Sequence, residues 1–139
     1  MEIQEKDPLT ALVIGAAVEV HREMGPGLLE SVYQACLEEE LRLRKLDFRS
    51  QVRLPLIYKG KTLEDFLVLD VVVPGQLIVE LKAVERLLPV HEAQLLTYLK
   101  LAKTKVGLLL NFNVALLKNG LKRMVLCLFF SSVSLCLCG

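Results

Sequence analysis

The stretch that decides the fold reads DVVVPGQLIVELK and runs from Asp70 to Lys82. Two apolar runs flank Pro74-Gly75, a dipeptide that favours a turn, so the stretch predicts a hairpin of two apolar strands. Charged side chains in such strands are costly unless they are paired or bind a metal. Side chains alternate between the faces of a strand, so Glu80 and Lys82 share one face. A register that sets Asp70 opposite Glu80 would bring two carboxylates and one ammonium together.

This arrangement predicts a divalent-metal site. Asp70 and Glu80 offer the oxygen ligands that Mg²⁺ and Mn²⁺ prefer. Lys82 would place a fixed positive charge beside the ion, where it could act on a substrate or a water molecule.

Length and composition indicate one compact domain with a buried core. The chain has 139 residues, of which 53% are hydrophobic and 24% are charged, and these values exclude global disorder. The net charge of +1 excludes a molecule that is polyanion-binding over its whole surface, although a local basic surface remains compatible with it. The N-terminus, MEIQEKDP, lacks the apolar core of a secretory signal.

The cysteines favour a reducing compartment, and we expect a cytoplasmic protein. Three of the four cysteines, Cys127, Cys136 and Cys138, lie within the last thirteen residues, which does not resemble a disulfide framework.

Periodicity and punctuation predict an α/β domain. Its mixed, mainly antiparallel sheet would contain four to five strands flanked by helices. Asp7-Pro8 is typical of a helix start, and Gly25-Pro26-Gly27 ends that helix. The other predicted helices are 28–46 and 91–103, and the predicted strands are 48–58, 62–73, 77–84, 105–113 and 121–125.

Several polar residues on the predicted helices have two interpretations. His21, at the end of the first helix, is either a ligand or an ordinary helix-end histidine, and its position favours the second. Glu30 is either a site residue or a first-turn acid stabilised by the helix dipole, and spacing alone favours the second. Gln94 and Tyr98 are four residues apart and so share a helix face. Spacing alone favours a hydrogen bond between them within the helix.

Three motifs in the right order resemble a known group of nucleases. The segment GLLESVY, residues 27–33, matches the signature of the GxxExxY protein family, which is placed in the PD-(D/E)XK nuclease superfamily. Asp70 followed by Glu80-Leu81-Lys82 resembles the D…ExK core of that superfamily. The segment QLLTY, residues 94–98, resembles the QxxxY element of its RecB-like branch. The resemblance covers roughly residues 8–125, and it implies the restriction-endonuclease-like fold and phosphodiester hydrolysis.

The resemblance also implies roles for the site residues. Asp70, Glu80 and the backbone carbonyl of Leu81 would hold one Mg²⁺ or Mn²⁺, and Lys82 would orient the attacking water or stabilise developing charge. Glu30 would add a ligand through water or hold a second ion. Gln94 and Tyr98 would line the site.

Nucleic acid is the substrate that this resemblance implies, and a run of basic residues offers contacts to its backbone. These residues cluster in the sequence between the second helix and the third predicted strand, and each is equally compatible with a solvated surface. They are Arg42, Arg44, Lys45, Arg49, Arg53, Lys59 and Lys61.

The C-terminal tail, residues 126–139, lies outside the predicted single domain, residues 1–125. It is apolar and uncharged but too short for a membrane span, which needs about 17–25 residues. An added strand, a segment that binds a protein partner or a second copy, and an aggregation-prone end are the favoured interpretations. Cys136-Leu137-Cys138 is only a weak indication of a soft-metal site.

Two other classes of function stay open. A non-catalytic member would keep the fold as a nucleic-acid-binding or assembly module, since a fold does not fix a function. A protein-interaction or membrane-associated protein would act through the apolar tail. Hydrolysis of another phosphate ester is a third, enzymatic alternative.

Overall fold

A six-stranded sheet lies between two layers of helices in the computed structural model, which describes residues 7–129 and 132–137. The elements are α1 (Pro8–Met24), α2 (Glu30–Leu43), β1 (Arg49–Tyr58), β2 (Lys61–Val73), β3 (Leu77–Lys82), α3 (Pro89–Leu101), β4 (Val106–Asn111), a 3₁₀ helix (Leu117–Gly120), β5 (Leu121–Phe129) and β6 (Ser132–Leu137). The strands lie side by side in chain order, and only the β3–β4 pair is parallel. The predicted α/β class and the mixed, mainly antiparallel sheet are confirmed.

The sixth strand comes from the apolar tail. β5 continues to Phe129, and β6 pairs with it antiparallel, so the tail adds a strand to the five of the predicted domain. A role of the tail in binding a partner stays a prediction, as does the division of the chain after residue 125. Cys138, and with it the complete Cys-Leu-Cys motif, lies outside the described residues.

Cys127 is disulfide-bonded, which the distribution of cysteines did not predict. Among the helices of the described ranges, none combines the length and the apolar character that crossing a membrane would require.

Each face of the sheet has its own core. On one face, α1 and α2 pack against alternate side chains of the central strands, among them Val71, Val79 and Leu81. On the other face, α3 packs through Leu95 and Leu99 against a second set that includes Leu69, Ile78 and Leu109. The central strands are therefore covered on both sides, as their nearly continuous apolar sequence indicates.

The N-terminal helix begins where the sequence predicts. Asp7 is the N-cap residue of α1, its carboxylate accepts the Thr10 N–H at 3.2 Å, and Pro8 is the first helical residue. The helix ends at Gly25, which has a φ of 71° and donates its N–H to the His21 carbonyl at 2.8 Å. Glycine adopts this left-handed conformation without steric cost.

Tyr33 fixes the junction between α1 and α2. Tyr33 is fully buried and stacks on Phe112 with ring centroids 4.6 Å apart. Its hydroxyl donates to the Gly25 carbonyl and accepts the Leu28 N–H at 3.2 Å. One side chain of α2 thus satisfies two backbone groups of the loop before it, and this sets where α2, with Glu30 as its first residue, begins.

Replacing Tyr33 by Phe should lower the free energy of unfolding by about 1 kcal/mol, because the partly buried Gly25 carbonyl and Leu28 N–H lose their hydrogen-bond partner. Denaturant unfolding measures this change. Tyr98→Phe is the matched control, since the Tyr98 hydroxyl makes no hydrogen bond within the described residues. An equal loss of stability in both variants would contradict the role given to the Tyr33 hydroxyl.

Candidate active site

Asp70 and Glu80 face each other where the backbone pairing of β2 and β3 ends. The register pairs Val73 with Leu77 and Val71 with Val79, and one further step places Asp70 opposite Glu80. At that step, hydrogen bonds from backbone N–H groups to the two carboxylates replace the backbone-to-backbone hydrogen bonds of the sheet. The Asp70 N–H donates to Glu80 Oε1 at 3.1 Å, and the Leu81 N–H donates to Asp70 Oδ2 at 2.9 Å. Each carboxylate is therefore held by the backbone of the strand opposite it.

The Glu80 carboxyl is poorly suited to carry a charge when no cation is bound. Its residue is only 4% exposed, and burial together with the neighbouring Asp70 charge raises the pKa of Glu80 to about 8. The same negative charges act on Tyr98, whose pKa is raised by burial and then by Glu80 and Asp70. The site has a deficit of positive charge that a divalent cation would correct.

Lys82 is the cation that the chain itself supplies. Its side chain is half-buried on the same strand face as Glu80, and its Nζ donates to Gln94 Oε1 at 3.0 Å. Gln94 projects from α3, which begins at Pro89 and is capped by His91, whose Nδ1 accepts the Leu88 N–H at 2.9 Å. The expected hydrogen bond between Gln94 and Tyr98 is absent from the described residues, and the Gln94 oxygen accepts a hydrogen bond from Lys82.

Glu30 approaches the site from the opposite layer. It is the first residue of α2, so the interpretation as a first-turn acid is compatible with the structure. Charges of the site also act on Glu30. Partial burial and the Asp70 charge raise the pKa of Glu30, and the Lys82 charge opposes that rise. Two helices on different faces of the sheet therefore contribute side chains to one group of charges.

Two polar residues that the sequence analysis did not select support this group. Gln34 of α2 donates through Nε2 to the Asp70 carbonyl at 2.9 Å and to Glu38 Oε2 at 2.7 Å. Asn111 is only 1% exposed, and its side chain pairs with both backbone groups of Val84 at 2.9–3.0 Å, just after the Glu80-Leu81-Lys82 triplet. Asn111 could have been selected from the sequence because it is the polar residue that ends the apolar run VGLLLN.

His21 has a structural role, as its position favoured. It is 8% exposed, its Nε2–H donates to the Val114 carbonyl at 2.7 Å, and its ring lies 6.4 Å from that of Phe112. These contacts place it in the core between α1 and the segment after β4.

The basic residues divide into two groups. Arg42 and Arg44 form ion pairs along α2 with Glu39 at 2.5 Å and Glu40 at 2.9 Å. The others lie after α2 and along the β1–β2 hairpin, with exposed side chains: Lys45, Arg49, Arg53, Lys59 and Lys61. Arg53 lies over the Phe66 ring at 4.5 Å from its centroid, and Lys59 lies over Tyr58 at 5.5 Å.

The side chains alone do not complete a metal cage. Within residues 7–129 and 132–137, no three His, Cys, Asp or Glu side chains are grouped so that they could hold an ion. Two carboxylates with a backbone carbonyl nearby do fit an ion that keeps several waters and completes its shell with substrate oxygens, as Mg²⁺ commonly does.

Comparison with known proteins identifies the fold family. The model of the PD-(D/E)XK nuclease superfamily matches residues 7–124, which include every residue of the group just described. The chain belongs to the PD-(D/E)XK nuclease superfamily. Neither the curated proteins nor the solved structures give a significant match to the chain. The narrower assignments, to the GxxExxY family and the RecB-like branch of this nuclease superfamily, stay predictions.

In a metal-free buffer, the stability of the protein should fall as the pH rises from about 4.5 to about 8. The Glu80 pKa is raised in the folded state, so the folded protein binds more protons than the unfolded chain within this window. The free energy of unfolding then decreases with a slope that approaches about 1.4 kcal/mol per pH unit.

Denaturant unfolding at a series of pH values, with a chelator present, measures this slope. Glu80→Gln is the control, because its neutral amide removes the titration and should flatten the profile over the same window. Parallel profiles for the two proteins would contradict the assignment of the raised pKa to Glu80.

Proposed function

We propose that this protein is a metal-dependent nuclease that hydrolyses phosphodiester bonds in nucleic acid. The observation that carries the proposal is the placement of Asp70 and Glu80 beside Lys82. These two carboxylates each accept a backbone N–H from the opposite strand, and Glu80 is buried. A purely structural role would not require two acidic side chains that repel each other at the centre of a sheet.

The residues that would hold the ion are Asp70, Glu80 and the carbonyl of Leu81. Oδ2 of Asp70 accepts the Leu81 N–H, and Oδ1 is the oxygen that we assign to an ion. The Leu81 carbonyl is a suitable third ligand because the N–H of the same residue faces Asp70, and a strand residue presents both backbone groups to one neighbour. The chemistry that Mg²⁺ or Mn²⁺ supplies when bound is polarisation of a phosphate oxygen and a lowered pKa for a bound water.

Lys82 and Gln94 would act on the reacting groups. Gln94 accepts one Lys82 N–H, which leaves the other two donors of the ammonium for a water molecule or a phosphate oxygen. A cation held in this way stabilises the negative charge that develops on the phosphate in the transition state. Tyr98 and Glu30 border the site, and Glu30 is suited to contact the ion through water.

The β1–β2 hairpin is the surface that we assign to the nucleic-acid backbone. Pairing between β1 and β2 extends from Arg49–Val72 to Tyr58–Lys61, whereas β3 pairs only with Val71–Val73. The outer part of the hairpin therefore extends beyond β3, and Arg49, Arg53, Lys59 and Lys61 are exposed along it. Lys45 precedes this hairpin. Arg42 and Arg44 are weaker candidates because glutamates of α2 already pair with them.

Wild-type protein should bind Mn²⁺ in calorimetric titration, and Glu80→Gln should abolish the binding because one of two carboxylate ligands is lost. Wild-type protein should also cleave labelled DNA or RNA when Mg²⁺ or Mn²⁺ is added. Lys82→Ala should keep Mn²⁺ binding and lose at least about a hundredfold in cleavage rate, since it removes charge stabilisation and not a ligand.

The same two measurements distinguish the alternatives. Mn²⁺ binding without cleavage of single- or double-stranded DNA or RNA would contradict the nuclease activity and favour a hydrolase of another phosphate ester. Absence of Mn²⁺ binding, with or without substrate, in a folded sample would contradict the metal site and favour a non-catalytic module.

Replacing one basic side chain of the β1–β2 hairpin should weaken the binding of nucleic acids of any base sequence. Arg49→Ala should reduce the slope of log affinity against log salt concentration by about one, because one phosphate contact is lost. Fluorescence anisotropy with a labelled oligonucleotide and the Glu80→Gln protein measures binding without cleavage. Arg42→Ala is the matched control and should leave the slope unchanged. A smaller slope for Arg42→Ala, with an unchanged slope for Arg49→Ala, would assign the contact surface to α2.

A further inference from the structure

Gln51 has a backbone conformation that its position in the fold does not explain. Its φ is 50°, in the left-handed region that residues other than glycine rarely adopt. Three other non-glycine residues in the described ranges have positive φ: Lys45, Lys59 and Lys103. Those three follow a helix or lie in a turn, where such conformations are common, whereas Gln51 lies inside β1.

Both strands of the hairpin change face at this position. Leu69 packs against α3 and Val71 packs against the other core, although residues two apart share a face in a regular strand. On β1, Val52 packs on the α3 side, whereas Ser50 donates to Glu38 of α2. The residues between them, Gln51 and Asp70, lie opposite each other because Ser50 pairs with Val71 and Val52 pairs with Leu69.

The irregularity brings the Gln51 side chain to the candidate metal ligand. Its Nε2 lies 3.4 Å from Oδ1 of Asp70, while the Leu81 N–H occupies Oδ2. Oδ1 is the oxygen that faces the ion in the proposed site, and a carboxylate oxygen has two acceptor positions. Gln51 can therefore orient Oδ1 and leave a lone pair for the ion.

Residues of α2 hold the hairpin in this arrangement. Gln34 binds the Asp70 carbonyl, and Glu38 accepts hydrogen bonds from both Gln34 and Ser50. The backbone on either side of the Gln51–Asp70 pair is thus tied to one helix, which explains how the left-handed conformation at Gln51 is maintained.

We infer that Gln51 is a positioning residue, whose amide directs the Asp70 carboxylate toward the metal ion and whose left-handed backbone exists for that purpose. The inference rests on the proposed function, since it presupposes that the ion binds at Asp70. Outer-shell groups that orient a ligand typically change metal affinity by 10–100-fold when they are removed.

The test is calorimetric Mn²⁺ titration of the full chain in wild-type, Gln51→Gly, Gln51→Asn and Lys103→Gly forms, with the melting temperature of each metal-free protein. Glycine tolerates the left-handed backbone, and asparagine favours it but carries an amide one methylene too short. Both Gln51 variants should bind Mn²⁺ about tenfold more weakly without a lower melting temperature. Lys103→Gly, which changes a left-handed residue on the loop after α3, should bind as wild type does.

Three outcomes have separate meanings. If wild-type protein binds Mn²⁺ and both Gln51 variants bind it equally well, the positioning role is wrong and the proposed function stands. If the Gln51 variants lose affinity only together with stability, Gln51 is a structural residue and the inference is also overturned. If wild-type protein binds no Mn²⁺, the proposed function fails, and the inference fails with it.

Discussion

The structure depends on a single constraint: two acidic side chains must be held together where the β2–β3 ladder ends. Asp70 and Glu80 each accept a hydrogen bond from the backbone of the opposite strand, so the pair replaces ladder bonds that would otherwise be missing. Burial and mutual repulsion raise the pKa of Glu80 to about 8, which indicates how unfavourable two charges are at this position. An arrangement that is costly in the metal-free protein would become favourable if the carboxylates bound the proposed divalent cation.

The two helical layers contribute to this constraint from opposite faces of the sheet. On one face, Tyr33 fixes the loop before α2, and Gln34 of the same helix holds the Asp70 carbonyl. On the other face, Gln94 of α3 holds the Lys82 ammonium. Each layer thus combines an apolar face that packs on the sheet with one amide that reaches the site, which places the charged groups on rigid elements.

The sequence predicts the fold and the centre of the site well, because both depend on local patterns. The run from Asp70 to Lys82 specifies its turn, its strand alternation and hence the meeting of Asp70 with Glu80. It does not specify Gln51 or Gln34, because a lone glutamine in a polar stretch has no distinctive pattern, and their contacts join residues 19 and 36 positions apart. The predicted hydrogen-bond partner of Gln94 was wrong for the same reason. Helical spacing favours Tyr98, whereas the packing of α3 on the sheet brings Gln94 to Lys82.

The measurement that tests this account most directly is the anomalous scattering of Mn²⁺ in crystals of the protein. We expect one peak in contact with Asp70 Oδ1, the Glu80 carboxylate and the Leu81 carbonyl, at distances of about 2.0–2.3 Å. A peak elsewhere on the chain, or no peak in crystals whose Asp70 and Glu80 are arranged as described here, would contradict it.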